Sequence, residues 1–380
     1  MKEWCLLIAG EKSGEEHALS FLPALKALKP DLEFFGVGGD ELQEQGMELC
    51  YHLKDFSSFG FSEVVGKIPF YFKALNKIVD ETKKRNCKVA ILIDFQDFNL
   101  RLAKKLAKNG VQVLYYVAPQ TWAWKAYRAK VLQKTVHTLF SILPFEKKWF
   151  SDRGVSKIVS VPHPLAVNYA DALRNLEPKN YESMNKKVRL LLLPGSRNDE
   201  VRFLLPEFEH AVRNLKKVLK QDLEVGIVHS SNVKSHYWRA FDSEINISWS
   251  NTDLVEAMNW ADLALATSGT VTLATGLFQI PTVVCYKGSL LNQYIFESFV
   301  KYDKPISLTN LILENRVFPE LIQENATAFN MTKELLKLIQ SPEEFNRVKD
   351  SLSKLAPMLN GEGDPASFML KAFEDQELTA

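Results

Sequence analysis

The sequence has 380 residues, a formal net charge of +1, 24% charged residues and 46% hydrophobic residues. This length and apolar content suit a globular protein of two domains with large cores. The balanced charge argues against bulk nucleic-acid binding, which needs a basic field, although a local basic patch remains open. No apolar run approaches the roughly 20 residues of a membrane-spanning helix. The chain enters a strand directly at Trp4, without a signal peptide, so we expect a cytoplasmic protein.

Cysteine and metal-ligand patterns carry little chemistry in this sequence. The four cysteines are far apart and form no CxxC pair. Cys5, Cys87 and Cys285 lie in or beside apolar runs, which predicts buried free thiols in a reducing compartment. There is no HExxH, no DxD and no His/Cys cluster of ligand spacing, so neither a metal nor a cofactor is implied.

The first half of the chain alternates buried strands with helices. Trp4–Ala9 and Lys88–Asp94 are apolar almost throughout, as in parallel strands covered on both faces. The turn Ala9–Gly14 precedes a helix from about Glu15, but it lacks both GxGxxG and GxxxxGKS/T and so gives no support to NAD or ATP binding. Asp94 stands at the carboxyl end of its strand. In open α/β sheets that edge carries the ligand site, so we interpret Asp94 as functional.

Two segments of the first half admit both a structural and a functional interpretation. Phe56–Leu75 crowds aromatic and aliphatic residues among lysines. A pair of core helices is the simpler explanation, and a surface for acyl chains or a membrane interface is the alternative. Trp122 and Trp124, with Arg128 nearby, follow the strand Gly110–Val117. They either line a sugar or lipid site or pack their helix onto the sheet.

The domain boundary is predicted in Asp171–Lys187, a polar stretch without a sustained apolar period. It separates an N-terminal domain, residues 1–170, from a C-terminal domain, residues 188–350. Residues 351–380 form a helical tail that we expect to pack back on the N-terminal domain. Because both halves repeat βα units, we predict an α/β protein of two doubly wound, Rossmann-like domains facing a central cleft.

The strand Val188–Leu193 ends in the turn Gly195–Arg197 and is followed by an amphipathic helix. In this turn, glycine permits a close backbone approach, serine offers a hydroxyl and arginine offers a planar fork for phosphate. Asp199 and Glu200, in the first helical turn, suit the positive end of the helix dipole. A diphosphate site and an ordinary βα turn are equally good interpretations of this stretch alone.

A second hydroxyl-rich turn, Thr267–Thr272, follows the strand Asp262–Ala266. Successive amides at a helix start, flanked by hydroxyls, can hold phosphate oxygens, and a simple Ser/Thr N-cap is the alternative. Together with Asp94 as an acid or base, the two turns describe group transfer from a nucleotide-activated donor. Arginine and helix dipoles can stabilise a diphosphate leaving group without a metal.

A series of short motifs, in order along the chain, resembles the lipid-A-disaccharide synthases, glycosyltransferases of the two-Rossmann-domain (GT-B) type. No single motif is decisive, but so many of them in family order are specific. The motifs are Ala9–Gly14, Val37–Gly39, Phe59–Val64, Ile93–Asn99, Tyr115–Trp124, Leu143–Lys147, His163–Ala166, Leu192–Glu200, Ser268–Leu273, Ile306–Ile312 and Pro319–Glu324.

The resemblance implies that family's reaction. UDP-2,3-diacylglucosamine is joined to 2,3-diacylglucosamine 1-phosphate (lipid X), with inversion at the sugar, to give the β-1,6-linked lipid A disaccharide 1-phosphate and UDP. The family's essential aspartate falls on Asp94, with the expected role of general base towards the acceptor 6-hydroxyl. The implied nucleotide-sugar site comprises Gly195, Ser196, Arg197, Glu200, Ser268, Gly269, Thr270, Thr272 and Asn310.

The resemblance also implies contact with acylated substrates and with a membrane surface. We expect peripheral docking on the inner membrane of a Gram-negative-type cell and no nucleic-acid partner. The apolar stretch Leu290–Phe299 would permit a homodimer. The residues expected to meet the acceptor or its lipid chains are Glu11, Ser13, Gly14, Phe59, Val64, Phe70, Trp122, Trp124 and Arg128.

Three positions depart from the family pattern. The glutamate that usually follows SGTxTL, an acid that holds ribose hydroxyls in related folds, is Ala274 here. Its loss could remove hydrogen bonds worth roughly 1–3 kcal/mol of donor binding. The aspartate that ends the first family motif is Glu15, and the glycine before HPL is Pro162, which would stiffen the chain at that point.

Ala274 motivates a second hypothesis, a degenerate paralogue that binds nucleotide sugar or lipid without turnover. A third is another UDP-GlcNAc-using GT-B enzyme, such as the peptidoglycan N-acetylglucosaminyltransferase, or a UDP-GlcNAc 2-epimerase. The stretches Ile93–Asn99 and Tyr115–Trp124 argue against both of these enzymes. A dinucleotide-dependent oxidoreductase fits least, because the glycine fingerprint is absent.

Overall fold

The computed structural model describes residues 3–56, 68–122, 125–238, 245–288 and 304–377. Two compact units divide the chain. One comprises residues 1–167 and 359–380, and the other comprises residues 168–358. The predicted residues and segments that lie outside the described residues are Phe59, Val64, Trp124 and the stretch Leu290–Phe299.

The first unit is built on a parallel sheet whose strands are buried because they are almost wholly apolar. All residues from Cys5 to Ala9 and from Val89 to Ile93 are buried, which is typical of a sheet covered on both faces. Its strands are β1 (Glu3–Ala9), β2 (Leu32–Gly38), β3 (Glu48–His52), β4 (Val89–Ile93), β5 (Gln112–Tyr116), β6 (Thr138–Ser141) and β7 (Ile158–Ser160). Their order in the sheet is β3-β2-β1-β4-β5-β6-β7.

The helices of this unit alternate with its parallel strands. They are α1 (Lys12–Leu28), α2 (Asp40–Glu44), α3 (Leu53–Phe56), α4 (Ile68–Lys84), α5 (Gln96–Lys108), α6 (Arg128–Thr135), α7 (Glu146–Ser151) and α8 (Pro164–Asn168). The helices α1 to α7 connect successive parallel strands, and α8 follows the last strand. The longer ones are amphipathic. In α5, for example, Phe98, Leu102 and Leu106 recur on the buried face.

The second unit repeats the same plan. Its strands are β8 (Lys187–Leu193), β9 (Asp222–His229), β10 (Ile247–Ser250), β11 (Leu263–Thr267), β12 (Thr282–Tyr286) and β13 (Glu320–Ile322), in the order β10-β9-β8-β11-β12-β13. Its helices are α9 (Ala170–Arg174), α10 (Asn198–Val218), α11 (Leu254–Trp260), α12 (Thr270–Leu277), α13 (Leu308–Ile312), α14 (Ala328–Gln340), α15 (Pro342–Leu352) and α16 (Leu355–Met358).

Numbered within its own unit, each sheet contains the strand order 3-2-1-4-5-6 of the doubly wound Rossmann fold. The predicted fold class of two doubly wound parallel sheets is therefore confirmed. In such sheets the strand order reverses between the first and fourth strands, which here are β1 and β4 in one unit and β8 and β11 in the other. Ligands bind outside the carboxyl ends of the strands at that reversal.

The last helix, α17 (Pro365–Glu377), belongs to the first unit and packs against α1. The segment that leads to it is bonded to the edge of the first sheet. The amide of Glu362 donates to the carbonyl of Ser160 at 2.8 Å, and the amide of His163 donates to the carbonyl of Leu359 at 2.9 Å. Gly361 has φ +61° and lies directly against the Val161–Pro162 backbone, where a side chain would clash.

The structure adds local detail to the sequence analysis. The polar stretch Asp171–Lys187, in which we place the domain boundary, contains most of α9 and a 3-10 turn over Tyr181–Asn185. The short edge strands β3 and β13 have no clear apolar run in the sequence. The four cysteines are free thiols, three of them buried, as expected.

Candidate active site

Asp94 follows β4 at the point where the strand order of the first sheet reverses. Its backbone is left-handed, with φ +43°, and Phe95 follows with φ +44°. Two such residues in succession are uncommon outside glycine, and surrounding bonds must hold them. The carbonyl of Asp94 accepts from the hydroxyl of Tyr115 at 2.7 Å and from Nδ2 of Asn99 at 2.9 Å, while its amide donates to the carbonyl of Tyr116 at 3.0 Å.

Burial is the main reason why the pKa of Asp94 rises to about 6. The negative charge of Glu11 raises this pKa further, and the backbone amide of Phe95 lowers it. A general base works best when its pKa lies near the working pH, and a carboxylate of pKa about 6 is largely ionised at pH 7. The side chain is therefore a stronger base than an ordinary aspartate and still available as one.

The turn after β1 lies beside Asp94 because β1 and β4 are paired, with Ala9 opposite Ile93. Glu11 occupies the N-cap position of α1 and uses no side-chain bond to cap it. Ser13 is exposed, while Gly14 is buried against Ala9. Glu11 and Asp94, two predicted site residues, therefore lie at the same sheet edge and within electrostatic range of each other.

Glu15, one of the departures from the family pattern, has its hydrogen-bond partners within the first unit. Its carboxylate is buried and accepts from the amide of Leu42 at 3.1 Å and from Nζ of Lys12 at 3.0 Å. It also fills the space beside Gly39, where a Cβ would lie 2.5 Å from a carboxylate oxygen. The longer side chain therefore ties α1 to the segment after β2.

Arg128 and Trp122 are both engaged by neighbouring side chains. Arg128 is buried, and its guanidinium donates to Oε1 of Gln96 at 2.9 Å and to the carboxylate of Asp97, which binds it to the first turn of α5. Trp122 is half-buried and donates from Nε1 to Oε1 of Glu146 at 3.0 Å. Of these two predicted acceptor-site residues, Trp122 is the more available to a ligand.

Phe70 belongs to an aromatic cluster that continues to the residue after Asp94. Phe56 lies at its centre. Its ring centroid is 5.3 Å from that of Phe70 and 5.7 Å from that of Phe95, and both pairs meet edge-on. The core interpretation of this segment therefore holds for these rings. Ile68 and Phe72, at the start of α4, remain 45% and 51% exposed.

In the second unit, Glu200 occupies the turn expected to hold a diphosphate. Its Oε2 accepts from the amides of Ser196 at 3.0 Å and Arg197 at 3.2 Å, and its Oε1 accepts from the guanidinium of Arg197 at 2.7 Å. Gly195 has φ +125°, and a Cβ on it would lie 2.7 Å from the Cβ of Glu200. The two amides are thus already bonded to a carboxylate, while the Arg197 side chain is 81% exposed.

The second hydroxyl-rich turn lies beside the first, because β8 and β11 are paired with Leu193 opposite Ala266. Gly269, with φ +138°, is the N-cap residue of α12, and no side chain caps this helix start. Gly269 and Thr270 are exposed and Ser268 is half-buried. Thr272 is buried, and its hydroxyl donates to the carbonyl of Gly269 at 2.7 Å. An open helix start and an exposed guanidinium therefore share the reversal point of the second sheet.

Asn310 is fully buried, and its amide is satisfied inside the second unit. Its Nδ2 donates to the carbonyl of Phe318 at 2.8 Å and to Oε1 of Glu320 at 2.9 Å, while its Oδ1 accepts from the amide of Phe318 at 2.8 Å. Glu320 also accepts from the hydroxyl of Ser307 at 2.7 Å. A direct contact of Asn310 with a donor remains a prediction, and the contacts seen shape the loop behind α13.

Ala274 is buried within α12, with 1% exposure. Nearby, the hydroxyl of Thr309 donates to the carbonyl of Thr272 at 2.6 Å and docks α13 on α12. Where the resemblance leads us to expect a glutamate, this helix therefore presents only a methyl group. Pro162 lies in the first unit, in the segment bonded to residues 359–361.

The sequence interpretation missed Glu146 as a site residue. A glutamate in the first turn of a helix ordinarily complements the helix dipole at the surface. Here the side chain is buried with 1% exposure, and burial raises its pKa to about 8, with a further contribution from the charge of Asp94. Its place in the motif Leu143–Lys147 was the available signal, but a motif does not reveal burial.

The described residues offer neither a clustered metal site nor a membrane-spanning helix. They contain no group of three or more His, Cys, Asp or Glu side chains placed to hold a metal ion. None of the helices within the described ranges is long and apolar enough to cross a membrane.

Comparison with known proteins identifies the family. The lipid-A-disaccharide synthetase family model matches residues 5–362. The lipid-A-disaccharide synthase of Myxococcus xanthus is 35% identical over 339 residues, which cover 88% of this chain and 87% of the relative. That of Acidobacterium capsulatum is 32% identical over 372 residues, which cover 95% and 92%.

Solved structures support the fold. A putative UDP-N-acetylglucosamine 2-epimerase from Listeria monocytogenes has a TM-score of 0.64 at 14% identity and covers 100% of this chain and 98% of its own. The calicheamicin glycosyltransferase CalG4 has a TM-score of 0.59 at 11% identity, with 99% of each chain covered. At such identities the likeness shows the fold alone, that of GT-B glycosyltransferases and the related epimerases. The family match over nearly the whole chain decides the assignment, and the chain belongs to the lipid-A-disaccharide synthetase family of glycosyltransferases.

Proposed function

We propose that this glycosyltransferase forms the β-1,6 lipid A disaccharide by inversion, with Asp94 as the general base. The carboxylate takes the proton of the lipid X 6-hydroxyl as that oxygen attacks C1 of UDP-2,3-diacylglucosamine. The bond from C1 to the UDP oxygen breaks, and UDP leaves with the electron pair. The observation that carries the proposal is the buried, hydrogen-bonded turn that holds Asp94 at the sheet reversal with a pKa of about 6.

The second unit supplies groups suited to the UDP leaving group. The Arg197 guanidinium is exposed, and the start of α12 at Thr270 offers amides without a side-chain cap. Both features favour developing negative charge on a diphosphate. Glu200 keeps the Gly195–Arg197 turn in shape by binding its amides, so its role in donor binding is indirect.

The test is disaccharide formation from the two acylated substrates by the wild type, Asp94→Ala and Asp80→Ala. Asp80 is an exposed aspartate of α4 and controls for loss of a surface charge. We expect Asp94→Ala to lose at least 100-fold in kcat while retaining UDP binding, and Asp80→Ala to match the wild type. Equal turnover by the wild type and Asp94→Ala would remove Asp94 from the mechanism.

A degenerate protein that binds substrates without turnover is the second candidate, and Ala274 is the observation that favours it. The two candidates separate on the wild-type protein, because only the synthase releases UDP in the presence of both substrates. If turnover is absent, the informative variant is Ala274→Glu. A gain in UDP affinity of about 10-fold or more would show that a missing ribose contact is the defect.

The membrane part of the proposal rests on the start of α4. Ile68 and Phe72 are exposed there, and the guanidinium of Arg101 lies 5.8 Å from the Phe72 ring. An exposed apolar pair beside a cation suits the interface of an anionic bilayer and supports peripheral docking on the cytoplasmic side of the inner membrane. Sedimentation with anionic vesicles should fall for the double variant Ile68→Ser/Phe72→Ser. A homodimer through Leu290–Phe299 remains a prediction.

A further inference from the structure

Glu146 is a buried acid that accepts hydrogen bonds from the Trp122 side chain and from the backbone that precedes its helix. Its Oε1 accepts from Nε1 of Trp122 at 3.0 Å, and its Oε2 accepts from the amide of Leu143 at 3.3 Å. Glu146 has 1% exposure, so its own carboxyl group has almost no access to water. Removing either the buried carboxyl or its hydrogen-bond donors leaves the other group buried without a partner. This costs far more free energy than the same change at the surface.

The topology puts this contact beside the proposed base. β4, β5 and β6 are successive neighbours in the parallel sheet, so the segments that follow them emerge at one edge. These segments carry Asp94, Trp122 and Glu146 respectively. The charge of Asp94 contributes to the raised pKa of Glu146, which places the two carboxyl groups within electrostatic range.

The state of charge suits a holding role. Burial raises the pKa of Glu146 to about 8, so at pH 7 the group is mainly the neutral acid. A neutral acid accepts the indole hydrogen bond without placing a second negative charge near Asp94, which itself ionises with a pKa of about 6. The ring of Phe145 completes the arrangement, since it packs edge-on against the Trp122 ring with centroids 5.0 Å apart.

We propose that Glu146 is a positioning residue for glycosyl transfer, which fixes the indole of Trp122, and with it the loop after β5, at the sheet edge that carries Asp94. The fixed loop then presents Trp122 to the acceptor sugar or its lipid chains. The inference rests on the proposed function, because it assigns the acceptor to this edge. It predicts that substitution of Glu146 lowers kcat/KM for the acceptor and that this effect depends on Trp122.

The experiment compares Glu146→Ala, Glu146→Gln, Trp122→Phe and the double variant Glu146→Ala/Trp122→Phe in the full chain. Glu44→Ala, which removes an exposed glutamate of α2, is the matched control. We expect Glu146→Ala to lower kcat/KM for lipid X by about 10- to 100-fold, as for a misplaced binding group, with UDP affinity unchanged. Glu146→Gln, which keeps an acceptor oxygen for the indole, should recover much of the loss.

The double variant tests the route through Trp122. If Glu146 acts by holding the indole, kcat/KM for lipid X in the double variant should equal that of the less active single variant, because both substitutions remove the same interaction. Independent, additive losses would overturn the proposal. So would wild-type kcat/KM in Glu146→Ala, or a loss that falls equally on UDP binding and tracks a lower folded fraction.

Failure of the proposed function remains distinguishable. A wild type without turnover refutes the synthase reaction, and the same variants are then compared by equilibrium binding of lipid X. Weaker lipid X binding in Glu146→Ala, with recovery in Glu146→Gln, supports the positioning role. Equal binding in all variants refutes it.

Discussion

The hydroxyl of Tyr115 donates a 2.7 Å hydrogen bond to the backbone carbonyl of Asp94. The bond links the end of β5 to a left-handed residue at the end of β4 and helps to hold the carboxylate in place. Tyr115→Phe should therefore lower kcat by about 3- to 10-fold, with about 1 kcal/mol of lost stability.

The neighbouring Tyr116 provides a control of the same type. It is equally buried, but its hydroxyl pairs with Ser20 and not with the turn at Asp94. Tyr116→Phe should lose similar stability and keep the wild-type kcat. Equal kcat losses in both variants would show that the Tyr115 bond has no special part in the reaction. Steady-state rates and thermal unfolding measure the two effects.

The rate should depend on the ionisation of Asp94. A general base acts when deprotonated, so kcat/KM should fall as the pH falls through about 6. Glu11→Gln removes a negative charge that raises this pKa, so the acid limb should move to lower pH. An acid limb that stays in place in Glu11→Gln would mean that another group controls it.

Asp94 should also cost stability at neutral pH. Its pKa lies at about 6, above the 3.8 of an ordinary aspartate, so the ionised form is disfavoured in the folded chain. Well below pH 3.8 the group is protonated in both the folded and unfolded states and carries no penalty, and the penalty develops as the pH rises from about 3.8 to about 6 and is complete above that. Asp94→Asn should therefore raise the free energy of unfolding by up to roughly 3 kcal/mol at pH 7.5 and by little at pH 4. Urea unfolding at the two pH values measures this difference, and a gain that is the same at both would contradict it.

Two glycines of the second unit form a matched pair. Gly195 and Gly269 both have positive φ, so alanine is strained at each. A Cβ at position 195 also meets the Glu200 side chain, whereas a Cβ at position 269 has no described residue within 4 Å apart from its two neighbours in the chain. Gly195→Ala should lower the unfolding temperature more than Gly269→Ala and weaken UDP binding by displacing Glu200 from the turn. Comparable losses in the two variants would show that the Glu200 contact is unimportant.

The parallel strands and their carboxyl ends were predictable because uninterrupted apolar runs such as Val89–Ile93 identify buried parallel strands, whereas the order of the strands in each sheet comes from the structure. That placed Asp94, Gly195–Arg197 and Ser268–Thr270 at carboxyl edges. Hydrogen bonds between side chains were not predictable in this way. From the sequence, Glu200 was expected to complement the dipole at the start of its helix. In the structure it also accepts hydrogen bonds from the amides that a phosphate was expected to use.

The fate of buried polar groups also depends on packing that one sequence does not show. Asn310 was expected to contact the donor substrate, but its side-chain amide is hydrogen-bonded to Phe318 and Glu320. Glu146 had the pattern of an ordinary helix-start acid, yet it is buried against Trp122. In both cases the sequence marks the residue, and only the three-dimensional neighbours decide its chemistry.

The return of residues 359–380 to the first unit has a consequence for biosynthesis. These residues, with α17, are synthesised only after the whole of the second unit, residues 168–358. The first unit therefore cannot be completed before the second unit has been made, and until then the face of α1 that packs against α17 is uncovered. Nascent chains should expose that apolar face of α1 to chaperones throughout synthesis of the second unit, until α17, with its buried Phe373, packs against it.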